Sequence, residues 1–278
     1  DSMTDYLRFE SSINPIYSES DEDLCLIYNN GKLIVKYIDK EVEVLRGKDL
    51  RKLNLNLQYI DCIGAFDGAN CYKAEVKDDY NLPNGYKEYD LKPLTFLLEE
   101  EVFLLVAKGL LLLNWEKTHK YCGVCGYPME KKESETERAL ICPACGFTTW
   151  PRTSPAIIVA VTKGDKLLLA HNKYFPDGMY SVIAGFVELG ETFEQCVRRE
   201  VFEEVGIQVD NIKYFGNQPW PFPNSMMIAY TAEYAGGDIK EDNDEIIHAN
   251  WFSKEEIPGM YRESKSIGSE LIRWFIEN

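Results

Sequence analysis

Hydrophobic and polar positions change period along this chain, and the changes mark out its elements. Residues 193–205 contain no Pro or Gly, and Val197, Val201 and Val205 recur every fourth position, which predicts a helix with one buried stripe. Thr192 stands at its N-cap, Glu194 and Gln195 fall in the first turn, and Gly206 stops it. Ahead of it, 181–184 reads as a short apolar strand, and 156–161 and 166–170 read as strands flanking the turn Lys163-Gly164-Asp165. Residues 248–252 read as a strand, and 267–276 as an amphipathic helix with Ser266 at its N-cap. Near the start, 24–28 and 32–38 flank Asn29-Asn30-Gly31, a hairpin signal. Residues 58–63 and 70–76 read as further strands, 81–85 as a turn, and 93–117 as one or two helices. No internal repeat or low-complexity tract stands out.

The helix at 193–205 carries the chemistry. Glu200, Glu203 and Glu204 are related by three and four positions, so they share one face. Like charges so placed destabilise a bare helix by about 0.2–0.5 kcal/mol per pair. A hard cation reverses that sign, because Mg²⁺ takes carboxylate and water oxygens and leaves room for phosphate oxygens. Gly185 and Gly190 permit a tight loop that returns Glu191 to the helix, and Arg199 can orient one of the acids by a charge-assisted hydrogen bond. The plainer reading is a solvated acidic face. Against it, the whole segment resembles the Nudix box, G-x5-E-x7-R-E-U-x-E-E-x-G-U, and every defined position matches from Gly185 and Glu191 through Ile207. The resemblance implies a Nudix hydrolase of α+β class, an α/β/α sandwich around a mixed sheet. Such enzymes cleave a diphosphate joined to another group with Mg²⁺ or Mn²⁺.

Composition narrows the setting. The 278 residues are 45% hydrophobic, enough for well-buried cores in one to three domains. The apolar stretch 102–113 is interrupted by Lys108 and is too short to span a bilayer, and no secretory signal pattern is visible. Met3 is expected to be the natural start. A net charge of −16 argues against nonspecific binding to DNA or RNA, which needs a basic footprint. An acidic protein acting on a phosphorylated substrate must neutralise that clash locally, as metal ions do. With 3 histidines, a histidine-based scheme has few candidates.

Four of the 8 cysteines form two C-x-x-C pairs, Cys122/Cys125 and Cys142/Cys145, each followed by Gly. Paired knuckles at this separation read as a zinc ribbon, in preference to a redox dithiol or two disulfides. Four thiolates leave no open position for water, so the zinc is expected to be structural. Cys25, Cys62, Cys71 and Cys196 are dispersed and read as free core thiols, which fits a reducing, cytoplasmic compartment.

A second motif follows the helix. Residues 217–225, Asn-Gln-Pro-Trp-Pro-Phe-Pro-Asn-Ser, interleave prolines with Trp220 and Phe222, which predicts a stiff, extended segment whose rings can stack on a nucleobase or nicotinamide. This run resembles the S-Q-P-W-P-F-P-x-S signature of NADH pyrophosphatases, a Nudix subfamily, with Gln218, Pro219, Trp220, Pro221, Phe222, Pro223, Asn224 and Ser225 matching and Asn217 in place of Ser. A ribbon just ahead of the Nudix domain is that subfamily's layout too. The resemblance implies hydrolysis of NAD(H) to nicotinamide mononucleotide and AMP, removal of NAD caps from RNA 5′ ends in some relatives, and a homodimer. It implies metal ligation by the Ala184 carbonyl, Glu200, Glu204 and Glu245, and catalytic parts for Glu203, Arg199 and Glu191. It implies substrate contacts at Glu137, at Trp150 where a Tyr is common, and at Gly268 where an Ala is usual. The domains expected are a strand-rich α/β domain at 3–92, a helical connection at 93–119, the ribbon at 120–151 and the Nudix domain at 152–278. Two alternatives stand beside this: a Nudix hydrolase of ADP-ribose or a dinucleoside polyphosphate, and a catalytically inactive zinc-ribbon binding or regulatory protein.

Overall fold

The structure is a computed structural model that describes residues 8–12, 20–134, 136–241, 244–257 and 265–278. It divides into two compact units, 1–152 and 153–278.

The first unit holds β1 (Phe9–Ser11), β2 (Leu24–Asn29), β3 (Lys32–Ile38), β4 (Glu41–Arg46), α1 (Gly47–Leu53), β5 (Leu57–Phe66), β6 (Ala69–Val76), β7 (Tyr86–Tyr89), α2 (Leu91–Leu97) and α3 (Glu100–Thr118). The strands form one sheet in the order β1-β5-β6-β2-β4-β3-β7, with β2 and β6 parallel. Cys25, Ile27, Ile34, Leu45, Ala74 and Val76 pack on one side of it. Helix α3 approaches β2 closely at Gly109, where an added Cβ would lie 2.6 Å from the Tyr28 hydroxyl. That hydroxyl donates to the Val106 carbonyl at 2.5 Å. After α3 come β8 (Glu130–Lys131), β9 (Leu140–Ile141) and β10 (Thr148–Thr149), a three-stranded antiparallel ribbon.

The second unit holds β11 (Ser154–Lys163), β12 (Lys166–Asn172), β13 (Ile183–Phe186), α4 (Phe193–Val205), β14 (Gln208–Trp220), β15 (Ser225–Gly236), β16 (Ile246–Ser253) and α5 (Ile267–Glu277). Its sheet runs β14-β15-β11-β12-β16, with β13 also on β11. The β11–β15 pair is parallel among antiparallel neighbours, so the sheet is mixed. Strand β11 is apolar without alternation because both faces are covered. Ile157, Val159 and Val161 pack with Val197, Val201 and Val205 of α4, while Ile158 and Ala160 pack with Leu271, Ile272 and Phe275 of α5. This is the expected α/β/α sandwich. Among the described residues no helix is long and apolar enough to cross a membrane.

Two local expectations change. The strand read at 181–184 lies at Ile183–Phe186, with Ser181 reaching Ala170 only by an isolated bridge. The segment 217–225 is not one extended stretch: β14 ends at Trp220, a turn follows, and β15 starts at Ser225, with the Phe222–Pro223 peptide cis. Prolines suit the turn because they cannot donate to a ladder.

Candidate active site

Helix α4 forms where the sequence places it. The Thr192 hydroxyl accepts from Gln195 N at 3.2 Å, the Gln195 side chain accepts from Thr192 N at 2.8 Å, and this reciprocal cap fixes the first turn. Gly206, at φ 72°, ends the helix, and its N–H donates to the Phe202 carbonyl at 2.9 Å. The buried stripe is Cys196, Val197, Val201 and Val205, which leaves Glu200, Glu203 and Glu204 outside the core.

Arg199 organises the acids. Its guanidinium donates to Glu191 at 2.8 and 2.9 Å, to Glu200 at 2.8 Å, to Glu203 at 3.0 Å and to the Phe186 carbonyl at 2.9 Å. Gly190, at φ 85°, makes the loop that returns Glu191, whose carboxylate also accepts Glu188 N at 3.0 Å. Gly185 serves otherwise than expected. It lies inside β13, and its bare Cα makes room for Glu200: an added Cβ would stand 1.9 Å from the Glu200 carboxyl carbon. Gly185→Ala is therefore expected to push that carboxylate aside and lower kcat about 10²-fold while the melting temperature changes little. Steady-state kinetics beside thermal melting check this; an unchanged kcat would show that the position of Glu200 is immaterial.

Electrostatics separate two of these acids. Hydrogen bonds from Arg199 hold the Glu191 carboxyl down at about 2. Burial pushes Glu200 up, with Arg199 opposing. Because Glu191 is lowered on folding, its contribution to stability is present above the ordinary 4.5 and is lost as pH falls toward about 2. Thermal melts between pH 5 and 3 are expected to show a fall in stability that is smaller in Glu191→Gln; an identical pH slope in both proteins counts against the linkage. Glu200 has the opposite sign: its ionised form is disfavoured, and a cation bound beside it would offset that.

A cleft of about 600 Å³ opens beside this cluster. It is lined by Ala184, Gly185, Arg199, Glu200, Glu203 and Glu204, by Asp244 and Glu245, and by Trp220, Phe222, Ser225 and Met227. Trp220 and Phe222 meet edge to face at 5.3 Å. Carboxylate oxygens and a backbone carbonyl are the donor set of a hard divalent cation, and Mg²⁺ keeps waters and substrate phosphates rather than needing a closed protein cage. Among the described residues the one tight cluster of possible metal ligands is elsewhere, at Cys122, Cys125, Cys142 and Cys145. Three of their Sγ–Sγ distances are 3.5–3.6 Å, close to the roughly 3.8 Å edge of a tetrahedron with 2.3 Å zinc–sulfur bonds. The knuckles repeat each other: Gly126 N bonds the Cys122 carbonyl and Gly146 N the Cys142 carbonyl, both at 2.9 Å, with φ of 75° and 76°.

Of the other expected site residues, those of the second unit are not among the residues that line the cleft. Gln218 bonds the start of α5. The Asn224 carbonyl accepts Ser154 N at 2.9 Å and ties the turn to β11. Pro219 is the last residue but one of β14, Pro221 is buried and Pro223 is exposed in the turn. Gly268 is buried on α5 against Ile158 and Val182. In the first unit the structure brings Trp150 and Glu137 together, the indole donating to the carboxylate at 2.6 Å. Phe186, 54% exposed on the cleft wall, escaped the sequence reading. It sits at an unspecified position of the Nudix box, so only its being a large exposed ring beside Gly185 could have flagged it.

Residues 151–275 match the NUDIX domain family, residues 117–147 the NADH pyrophosphatase zinc ribbon domain, and residues 22–115 an NADH pyrophosphatase-like rudimentary NUDIX domain. The chain is 40% identical over 227 residues to the NAD-capped RNA hydrolase NudC of Stutzerimonas stutzeri, covering 82% of this chain and 81% of the relative. The chain belongs to the NudC family of Nudix hydrolases. The NAD-capped RNA hydrolase NudC of Haemophilus influenzae is 47% identical over 183 residues, 65% of this chain and 69% of the relative. A NUDIX hydrolase crystal structure from Nitrosomonas europaea overlays 57% of this chain and 90% of its own, with 22% identity and a TM-score of 0.49. Family membership also corrects one expectation. A chain with no visible repeat matches Nudix-type domains twice, and a parallel strand pair occurs in both units, β2 with β6 and β11 with β15. The rudimentary copy shares topology without sharing the glutamate helix, so nothing in its residues announces it.

Proposed function

We propose that this chain hydrolyses the pyrophosphate bond of NAD(H) to nicotinamide mononucleotide and AMP, and removes NAD caps from RNA 5′ ends. The observation that carries the reading is one cleft lined both by glutamates and by two aromatic rings. The acids suit a diphosphate with its cation, and the rings suit a flat heterocycle. The relatives' names favour this substrate over ADP-ribose or a dinucleoside polyphosphate.

In this reading Glu200 and Glu204, with Glu245 and the Ala184 carbonyl, hold Mg²⁺ or Mn²⁺. When bound, the cation offsets phosphate charge and makes water a stronger nucleophile. Arg199 holds Glu200 and Glu203 in place through the contacts above, with Glu191 as its anchor. Glu203 or Glu204 takes the proton of the attacking water. Trp220 and Phe222 hold the base, with Pro219, Pro221, Pro223, Asn224, Ser225, Glu137, Trp150 and Gly268 as further substrate contacts carried over from the subfamily. The division 3–92, 93–119, 120–151 and 152–278, a homodimer and a cytoplasmic setting complete the proposal; the buried free thiols Cys25, Cys62, Cys71 and Cys196 suit a reducing compartment. The test is a hydrolysis panel of NADH, NAD⁺, NAD-capped RNA, ADP-ribose and diadenosine polyphosphates, each with Mg²⁺ and with Mn²⁺. Release of nicotinamide mononucleotide from NAD(H) at the highest kcat/KM supports the reading, and a clear preference for ADP-ribose overturns it.

A further inference from the structure

Gln218 opens the aromatic–proline run, yet both ends of its side-chain amide are engaged away from the cleft lining. Its Oε1 accepts the Ile267 N–H at 2.8 Å, and its Nε2 donates to the Lys265 carbonyl at 2.9 Å. Ile267 is the first residue of α5, so its N–H has no partner within the helix. Ser266 covers a different donor of the same turn, its hydroxyl accepting Ser269 N at 3.3 Å. The next residue, Gly268, sits so close to β11 that an added Cβ would lie 3.0 Å from Ile158 Cδ1. The first turn of α5 is thus pinned at two points, by an amide clamp from β14 and by close contact with β11. Two residues beyond the clamp, Trp220 ends β14 opposite Ser225 and enters the cleft wall. A planar amide bonded at both ends fixes the strand against the helix more narrowly than apolar contact does, because both bonds are directional.

We propose that Gln218 is a positioning residue: its amide locks β14 to the N-terminus of α5 and thereby sets Trp220 in the cleft wall, without touching the dinucleotide. The KM part of this inference rests on the proposed function; the clamp does not. The test takes the full chain with Gln218→Ala and Gln218→Glu, and measures amide hydrogen exchange at 267–269 beside steady-state kinetics with NADH. Gln218→Ala is expected to speed exchange of the Ile267 amide about tenfold, the loss of one net hydrogen bond. KM should rise by a similar factor while kcat stays within about twofold, because Trp220 acts in binding. Gln218→Glu keeps the acceptor for Ile267 and loses the donor to Lys265, so it should fall between wild type and Gln218→Ala in both readouts. Unchanged Ile267 exchange in Gln218→Ala overturns the clamp, and a raised KM with it would assign Gln218 to the substrate. Faster exchange with unchanged KM overturns the link to Trp220. If the wild-type protein does not hydrolyse NADH, the functional reading fails while hydrogen exchange still decides the clamp.

Discussion

Glu204→Gln is expected to lower kcat about 10³-fold while the protein remains folded. The change keeps side-chain volume and helix propensity, so α4 should persist. It also removes a negative charge one helical turn from Glu200, which relieves repulsion along that face. Stability should therefore hold or rise slightly as turnover collapses, a combination that a merely structural glutamate would not give. The measurement is kcat and melting temperature for wild type and variant at saturating Mg²⁺. Turnover near the wild-type rate would remove Glu204 from the chemistry. Glu203→Gln in the same assay separates the two roles, because the variant lacking the general base loses the acidic limb of the pH–rate profile. Glu203 is more than half exposed and held by Arg199 at 3.0 Å, so its loss also frees part of the guanidinium.

Cys142→Ser is expected to abolish zinc binding and to destabilise the first unit by more than about 4 kcal/mol, the exceptional end of single-substitution effects. Cys142 is only 1% exposed, so the site cannot readily recruit water in its place. The loss should spread beyond the ribbon because the ribbon supplies charges to the N-terminal sheet. Arg138 pairs with Asp61 and donates to the Ser12 carbonyl at 2.9 Å, and Lys131 lies 3.5 Å from Asp61 and 3.8 Å from Glu116. Glu116 in turn pairs at 2.9 Å with Lys73, which is fully buried and whose pKa burial pushes down. Releasing the ribbon takes Lys131 from buried Glu116 and both Lys131 and Arg138 from Asp61, so these carboxylates lose counter-charges, and a broken buried network costs more than a surface one. Zinc content and thermal unfolding of wild type, variant and chelator-treated protein check this. A zinc-free variant that melts where wild type does would show that the ribbon is not a fold-stabilising element.

Local order was legible in the chain, and long-range order was not. The Thr192 cap, the helix 193–205 and the stop at Gly206 were readable because their hydrogen bonds close within four residues. The two knuckles were readable because each is a short turn around a C-x-x-C pair. The hairpin at Asn29-Asn30-Gly31 was likewise local, and Asn30 and Gly31 take the positive φ it requires. Side-chain direction on long strands was not readable, because it depends on a register set by a distant partner. From 217–225 alone, Gln218 and Trp220 look like equal members of one motif, yet one clamps α5 and the other enters the cleft. The packing of Gly268 on Ile158 was likewise not readable from its own segment.

By itself the sequence determined that a glutamate face, an arginine and a closed four-cysteine site exist, since spacing along one segment decides each. Tertiary structure decided how Glu245, Trp220 and Phe222 come to line one cleft with that face, and that Gly185 is bare because the Glu200 carboxylate lies against it. Those facts depend on which surfaces become neighbours when apolar faces are buried together, and burial is a property of the whole sandwich rather than of any segment.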